Sequence, residues 1–208
     1  MRSKDTYKTI AAPSEGIFKD KGSKFLCFAY PVETGPEAME KVSMLKDKYH
    51  DARHFCFAYV LGFNKEQWRE NDDGEPSGSA GKPIMGQITS YNLTNVIVVV
   101  VRYFGGTLLG VGGLIKAYKA AATDALSGAK VITKTIDHQY IITFGYEHMS
   151  EIMRIFRSAT VKNVNYDFRE ICNIRFDVRI SKENEILKQL AILDNVTIKQ
   201  VHNEHTNN

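Results

Sequence analysis

Cysteine is scarce in this chain: Cys27, Cys56 and Cys172 are the three among 208 residues, and no two form a C-x-x-C pair. An odd, dispersed set excludes a disulfide framework and a zinc ribbon, and leaves reduced, packed thiols as the expectation. Long apolar runs are missing too. The longest purely aliphatic one, residues 96–101, has the length of a strand and falls far short of the roughly 18 residues a membrane-spanning helix needs. The first residues, Met1-Arg2-Ser3-Lys4-Asp5, lead into mixed polar sequence with no apolar signal core. A cytoplasmic protein with no membrane partner is therefore expected. Nor is there an excess of one charge. Lys and Arg total 27 against 24 Asp and Glu, a net +3, and the isoelectric point of 8.6 lies below the rough value of 9 typical of strongly nucleic-acid-binding domains. Residues 1–136 hold 18 cations against 14 carboxylates, and residues 137–208 hold 9 against 10. Contact with a polyanion is expected from the first part.

What is present is an ordinary globular composition, 43% hydrophobic and 25% charged, in a length that suits two small domains. Residues 1–136 form the first expected domain. Residues 25–30 are an apolar, aromatic strand. Thr34-Gly-Pro-Glu37 has capping-box form, and Ala38, Val42, Leu45 and Tyr49 follow at helical spacing. Residues 54–61 alternate, with Phe55, Phe57, Tyr59 and Leu61 on one face. A long glycine- and proline-containing connection is expected over 62–91. Residues 95–101 read as a strand buried on both faces. Residues 112–127 read as an alanine-rich helix able to lie close to a sheet, with Gly128 as its C-cap. Residues 131–136 alternate again.

From residue 137 to 208 the pattern is a compact second domain. A strand over 139–144 precedes a helix marked by Met149, Ile152 and Phe156. Residues 161–168 and 171–180 suit a hairpin, Ser181 caps a helix carrying Ile186, Leu190 and Leu193, and residues 196–201 close the unit. The order β-α-β-β-α-β is the split-βαβ, ferredoxin-like arrangement. The overall class is α+β, and the polar tail after His202 is expected to fray.

Between the buried strand and the alanine-rich helix lies Arg102-Tyr-Phe-Gly-Gly-Thr-Leu-Leu-Gly-Val-Gly-Gly-Leu-Ile-Lys116, which holds five of the fifteen glycines. Glycine lets a ligand or another backbone approach closely, and N–H groups entering a helix favour an anion. Arg102 offers a fork suited to phosphate, Tyr103 and Phe104 offer stacking surfaces, and Gly105, Gly106 and Lys116 complete the expected face. Nucleotide motifs fail residue by residue. Gly105-x4-Gly110 is followed by Val111 where a phosphate loop has Lys, and Gly110-x-Gly112 meets Ile115 where a dinucleotide fingerprint has Gly.

A second segment, Asp72-Asp-Gly-Glu-Pro-Ser-Gly-Ser-Ala-Gly-Lys-Pro83, groups Asp72, Asp73 and Glu75 with Lys82. A solvated turn accounts for the carboxylates better than a magnesium site does. Ser79-x-x-Lys82 has the spacing of a serine–lysine nucleophile, without the companion motifs of such enzymes. His50 and His54 are four apart, but a strand starts at His54, so a zinc pair on one helix face is excluded. His54 is expected to be half-buried and hydrogen-bonded at the edge of the same surface. No cofactor and no metal are expected.

Both segments, Asp72 to Ile84 and Val98 to Tyr118, resemble the signature of the IMPACT family, including its bacterial YigZ-type members. The resemblance covers essentially the whole chain. It implies a first domain like the second domain of ribosomal protein S5 and a ferredoxin-like second domain, a pairing similar to the ribosome-contacting C-terminal domains of elongation factor G. Eukaryotic members modulate translation by restraining the kinase of initiation factor two through its ribosome-associated activator. The matching region starts near residue 15, so no RWD domain and no kinase-directed role are expected. Three functions follow as expectations. The first is a non-catalytic, translation-associated regulator that binds RNA or a ribosomal partner through the glycine-rich basic face. The second is a hydrolase of peptides or phosphoesters using the loop from Asp72 to Lys82. The third is a protein-interaction module docking through residues 137–208.

Overall fold

A computed structural model describes residues 5–169 and 171–201. The expected frayed tail after His202 lies outside the described residues. The chain packs as two compact units, one spanning Tyr7–Lys134 and the other built from Thr135 onward together with residues 5–6.

The first unit is mixed α/β. Its five-stranded antiparallel sheet is made by β2 (Ser14–Asp20), β3 (Ser23–Pro31), β4 (His54–Leu61), β5 (Gln67–Asn71) and β6 (Val96–Tyr103), in the order β2-β3-β6-β4-β5. A separate two-stranded sheet pairs β1 (Thr6–Ile10) with β7 (Val131–Thr135). Three helices complete the unit: α1 (Gly35–Lys48), α2 (Gly81–Ser90) and α3 (Gly110–Ser127). The central strand β6 explains the architecture. Val96, Val98 and Val100 pack with Ile84 and Ile88 of α2 and with Leu114, Tyr118 and Ala121 of α3. Ile97, Val99 and Val101 pack on the other face with Ala38, Val42 and Leu45 of α1. A strand covered by helices on both faces is apolar along its covered length, and this one is from Val96 to Val101.

Two local expectations are met by identifiable contacts, and a third is shifted by one residue. The hydroxyl of Thr34 accepts from the Glu37 N–H at 3.2 Å and starts α1. The Glu37 carboxylate accepts from the Glu33 N–H at 2.7 Å, one residue before the position a capping box would serve. The small side chains of α3 allow close approach to the sheet: a Cβ on Gly16 would lie 2.3 Å from the Ala125 nitrogen.

Four expectations are corrected. The connection expected over 62–91 contains β5 and α2. As an exposed edge strand, β5 reads Gln-Trp-Arg-Glu-Asn and shows no apolar alternation. Helix α2 opens on Gly81 and Pro83 and carries Gly86, so its propensity is poor, but Ile84 and Ile88 are fully buried. Strands β1 and β2 precede the first strand the sequence shows. Gly128 is the C-cap of α3 as expected, and the correction is to its geometry alone: φ is a right-handed −82°, with the N–H bonded to the Asp124 carbonyl. The helix expected to be capped by Ser181 has its N-cap two residues earlier, at Arg179, and has no side-chain cap bond.

The second unit orders its elements as β8 (Asp137–Phe144), α4 (Met149–Ser158), β9 (Val161–Phe168), β10 (Cys172–Arg179), α5 (Ile180–Ala191) and β11 (Thr197–Val201). Its sheet runs β11-β8-β10-β9 and is antiparallel throughout. Tyr140, Ile142, Phe144, Ile174, Phe176 and Val178 form the core with residues of both helices.

Candidate functional site

In the sheet, Arg102 of β6 stands between Phe25 of β3 and His54 of β4. Its even number puts it on the same face as Val96, Val98 and Val100, beneath α2 and α3. There its Nη1 donates to Glu75 Oε1 at 2.6 Å, and the Tyr118 hydroxyl donates to the same oxygen at 2.7 Å. Arg102 is 6% exposed and Glu75 9%. Phe25 and Phe104 flank the guanidinium, with ring centroids 5.5 and 5.7 Å from Cζ. The expectation that Arg102 presents a fork to phosphate is therefore corrected: the guanidinium is spent on a buried carboxylate. Glu75 was expected on the surface and is its partner. An unpaired charge here would be costly, which ties the two signature segments together.

The network continues inward. Cys56 Sγ lies 3.2 Å from the Tyr118 hydroxyl and 3.0 Å from the Asp72 carbonyl, and its single proton serves one at a time. Burial pushes both the Cys56 thiol and the Tyr118 phenol well above their ordinary ranges. Cys56 therefore stays a thiol and Tyr118 a donor. Neither is poised as a nucleophile.

The loop of residues 72–80 is held by its own carboxylates. Asp72 Oδ1 accepts from the N–H groups of Ala80 (2.9 Å) and Gly81 (2.8 Å), and Oδ2 from Gly78 (2.8 Å). Asp72 thus caps α2 from eight residues upstream of the formal N-cap, Ala80, which has no side chain able to do so. Burial alone would raise its pKa; the three backbone donors outweigh that and hold it below the usual carboxylate value. Asp73 sits at φ +41°, accepts from the Phe55 N–H at 2.7 Å, and lies 3.7 Å from Lys46. His54 Nδ1 is 2.9 Å from the Asp73 carbonyl, an acceptor only, so this nitrogen carries the proton. Ser79 is fully buried, and its hydroxyl donates to the Pro76 carbonyl at 2.6 Å. The hydrolase reading thereby loses its carboxylates to backbone and Arg102, and its serine to a carbonyl. Among the described residues no group of three or more His, Cys, Asp or Glu is placed to hold a metal.

The glycine-rich segment has a packed start and an open remainder. A Cβ on Gly105 would fall 1.9 Å from the Gly22 carbonyl carbon, and the Gly105 N–H donates to Ser23 Oγ at 3.1 Å. Beyond it Gly106 and Gly110 adopt left-handed φ of +85° and +71°, and nothing lies within 4 Å of a Cβ at Gly106, Gly110 or Gly112. Helix α3 starts without a side-chain cap and without an acidic residue in its first turn. Phe104, Leu108, Val111 and Ile115 are 55%, 82%, 52% and 40% exposed, and Lys116 is exposed beside them. Tyr103 points to the opposite face from Arg102, donating to Asp51 at 2.7 Å, a bond that lifts the phenol to about 12. Lys82, expected on the same basic face, lines a groove between β5 and α2.

The family described as the Impact N-terminal domain matches residues 21–126, a span that contains this whole arrangement. The chain belongs to the IMPACT family. IMPACT family member YigZ of Escherichia coli (strain K12) is 32% identical over 87% of this chain and 90% of its own length. Family member YvyE of Bacillus subtilis (strain 168) is 31% identical over 86% of this chain and 81% of its own. The crystal structure of a hypothetical protein superposes with a TM-score of 0.72 at 29% identity, covering 96% of this chain and 99% of that one.

In this IMPACT chain the two signature segments resolve into an inner and an outer layer. The inner layer is Arg102, Glu75, Tyr118, Cys56 and Asp72. The outer layer is Phe104, Gly106, Leu108, Val111, Ile115 and Lys116. Sequence reasoning overlooked Tyr118, Leu108, Val111 and Ile115. Val111 and Ile115 are four apart on α3, an apolar stripe on its solvent side that periodicity could have flagged.

Proposed function

We propose that this chain is a non-catalytic, translation-associated regulatory protein that binds RNA of the translation machinery through the outer layer of the glycine-rich segment. One observation carries the reading: α3 begins with free N–H groups, no cap and no carboxylate, beneath open glycines and beside exposed Phe104 and Lys116. Such a helix start attracts phosphate, the ring accepts a stacked base, and glycine lets a sugar–phosphate backbone come close. Membership of the IMPACT family supports the link to translation, which also makes the cytoplasm its place of action. The domain readings belong to the same proposal. Residues 1–136 are an S5-domain-2-like domain. Residues 137–208 are ferredoxin-like, supported by the β-α-β-β-α-β order and the strand order β11-β8-β10-β9.

Docking of a protein through the second sheet has weaker support. Its face away from α4 and α5 carries Gln139, Thr143, Asn173, Arg175 and Asp177, and Gln139 and Thr143 already bond Asp177 and Asn173. Co-sedimentation with purified ribosomes tests the proposal. Lys116→Glu is expected to release the chain, and addition of salt to do so steeply, because phosphate contacts release counterions. Sedimentation unaffected by both would overturn it.

A further inference from the structure

The two edges of the five-stranded sheet are treated differently. At β2 the Ile17 N–H donates to the Asp124 carboxylate at 2.8 Å, and α3 lies against Gly16 so tightly that no Cβ fits there. That edge is closed. At the other end, β5 pairs with β4 alone and is last in the sheet order. Among the described residues its outer row of backbone N–H and C=O groups has no strand to meet, which natural sheets usually avoid by covering or charging the edge.

Beside that open edge lies a groove of about 590 Å³ whose walls include Val60, Trp68, Glu70, Lys82, Met85 and Gly86. The volume falls within the roughly 300–1,000 Å³ of ligand-binding clefts. Trp68 is the chain's one tryptophan and stands 63% exposed on the edge strand itself. Gly86, in the second turn of α2, has nothing within 4 Å of a Cβ, so its lack of a side chain is not required by packing. Lys82 is exposed, and no carboxylate of the described residues pairs with it. Lys65, also on the lining, donates to Asn92 Oδ1 at 2.7 Å.

We propose that the groove between β5 and α2 binds an extended, mildly acidic peptide segment of a protein partner, added as a strand to β5. Main-chain bonds to the open edge supply register. Every second side chain of the added strand faces the groove: apolar ones lie against Trp68 and Met85, and an acidic one at another groove-facing position meets Lys82. This mode needs a free edge, a flanking helix and pockets at every second residue, and β5 with α2 provides them. It is independent of the RNA-binding surface, since the groove and the glycine-rich segment share no residue.

The test selects randomised linear peptides against the full chain and against a Gly86→Leu chain, whose added side chain fills the groove. Circular dichroism of the Gly86→Leu chain checks that it is folded. Enriched peptides are expected to place an acidic residue two positions from an apolar one, to shift Trp68 emission saturably, and to bind the Gly86→Leu chain at least tenfold more weakly. Lys82→Glu is expected to switch the selected charge from acidic to basic. Peptides methylated at alternate backbone nitrogens are expected to lose binding. Equal enrichment on both chains, unchanged binding of the methylated peptides, or the same charge preference with Lys82→Glu would each overturn the proposal.

Discussion

Arg102 carries the sharpest contrast between what a residue offers and what it does. Removing the Glu75 carboxylate leaves a guanidinium buried with no counter-charge, so Glu75→Ala is expected to cost about 3–5 kcal/mol of folding stability. Urea denaturation measures this, and in Arg102→Met with Glu75→Leu much of the loss should be recovered, because neither charge is then stranded. Asp72 gives a pH signature. Its carboxyl is held below the ordinary value of 3.8, so its stabilisation is complete above that value and is lost as pH falls through the lower, folded-state value. Asp72→Asn should therefore be less stable than the native chain at neutral pH, by about 1 kcal/mol if the lost cap dominates. The deficit should shrink as the solution is acidified, and a deficit independent of pH would remove the carboxylate's role. The partners of these residues were invisible in sequence because they are remote: Glu75 is 27 positions from Arg102, and they meet because the loop that carries Glu75 is bonded through Asp73 to His54 and Phe55 of β4, the strand beside β6.

At the scale of elements, legibility followed burial. Strand β6 and helices α1 and α3 were readable because each buries a face large enough to leave a periodic record. Strand β5 left none, since four of its five residues are exposed. Helix α2 was hidden by Gly81, Pro83 and Gly86, and it is held instead by Asp72 and by the burial of Ile84 and Ile88. The glycines between β6 and α3 separate by the same logic. Gly105→Ala must push its methyl into the turn at Gly22 and Ser23, and overpacking of this kind costs about 1–3 kcal/mol. Gly112 is helical with open space around it, so Gly112→Ala should stabilise the chain by about 0.5–1 kcal/mol. Thermal denaturation of the pair checks both signs. If Gly112 is kept for close approach of a ligand, the more stable variant will also bind RNA less well.

For the whole molecule, rigidity lies beneath and the proposed recognition surface above. The buried Arg102, Glu75 and Tyr118 fix the end of β6 against α3, and the exposed segment that follows is free to meet a partner. The family and the mixed α/β build were legible from two long motifs. The division of those motifs into a supporting and a contacting layer was not, because it depends on which side of the sheet each residue faces. Amide chemical shifts during titration with a ribosomal RNA fragment test this division most directly. Perturbations are expected to concentrate at Phe104, Gly106 and Gly110 through Lys116, and to fade as salt is raised. Perturbations confined to the second unit or to the groove beside β5, or none at all, would contradict it.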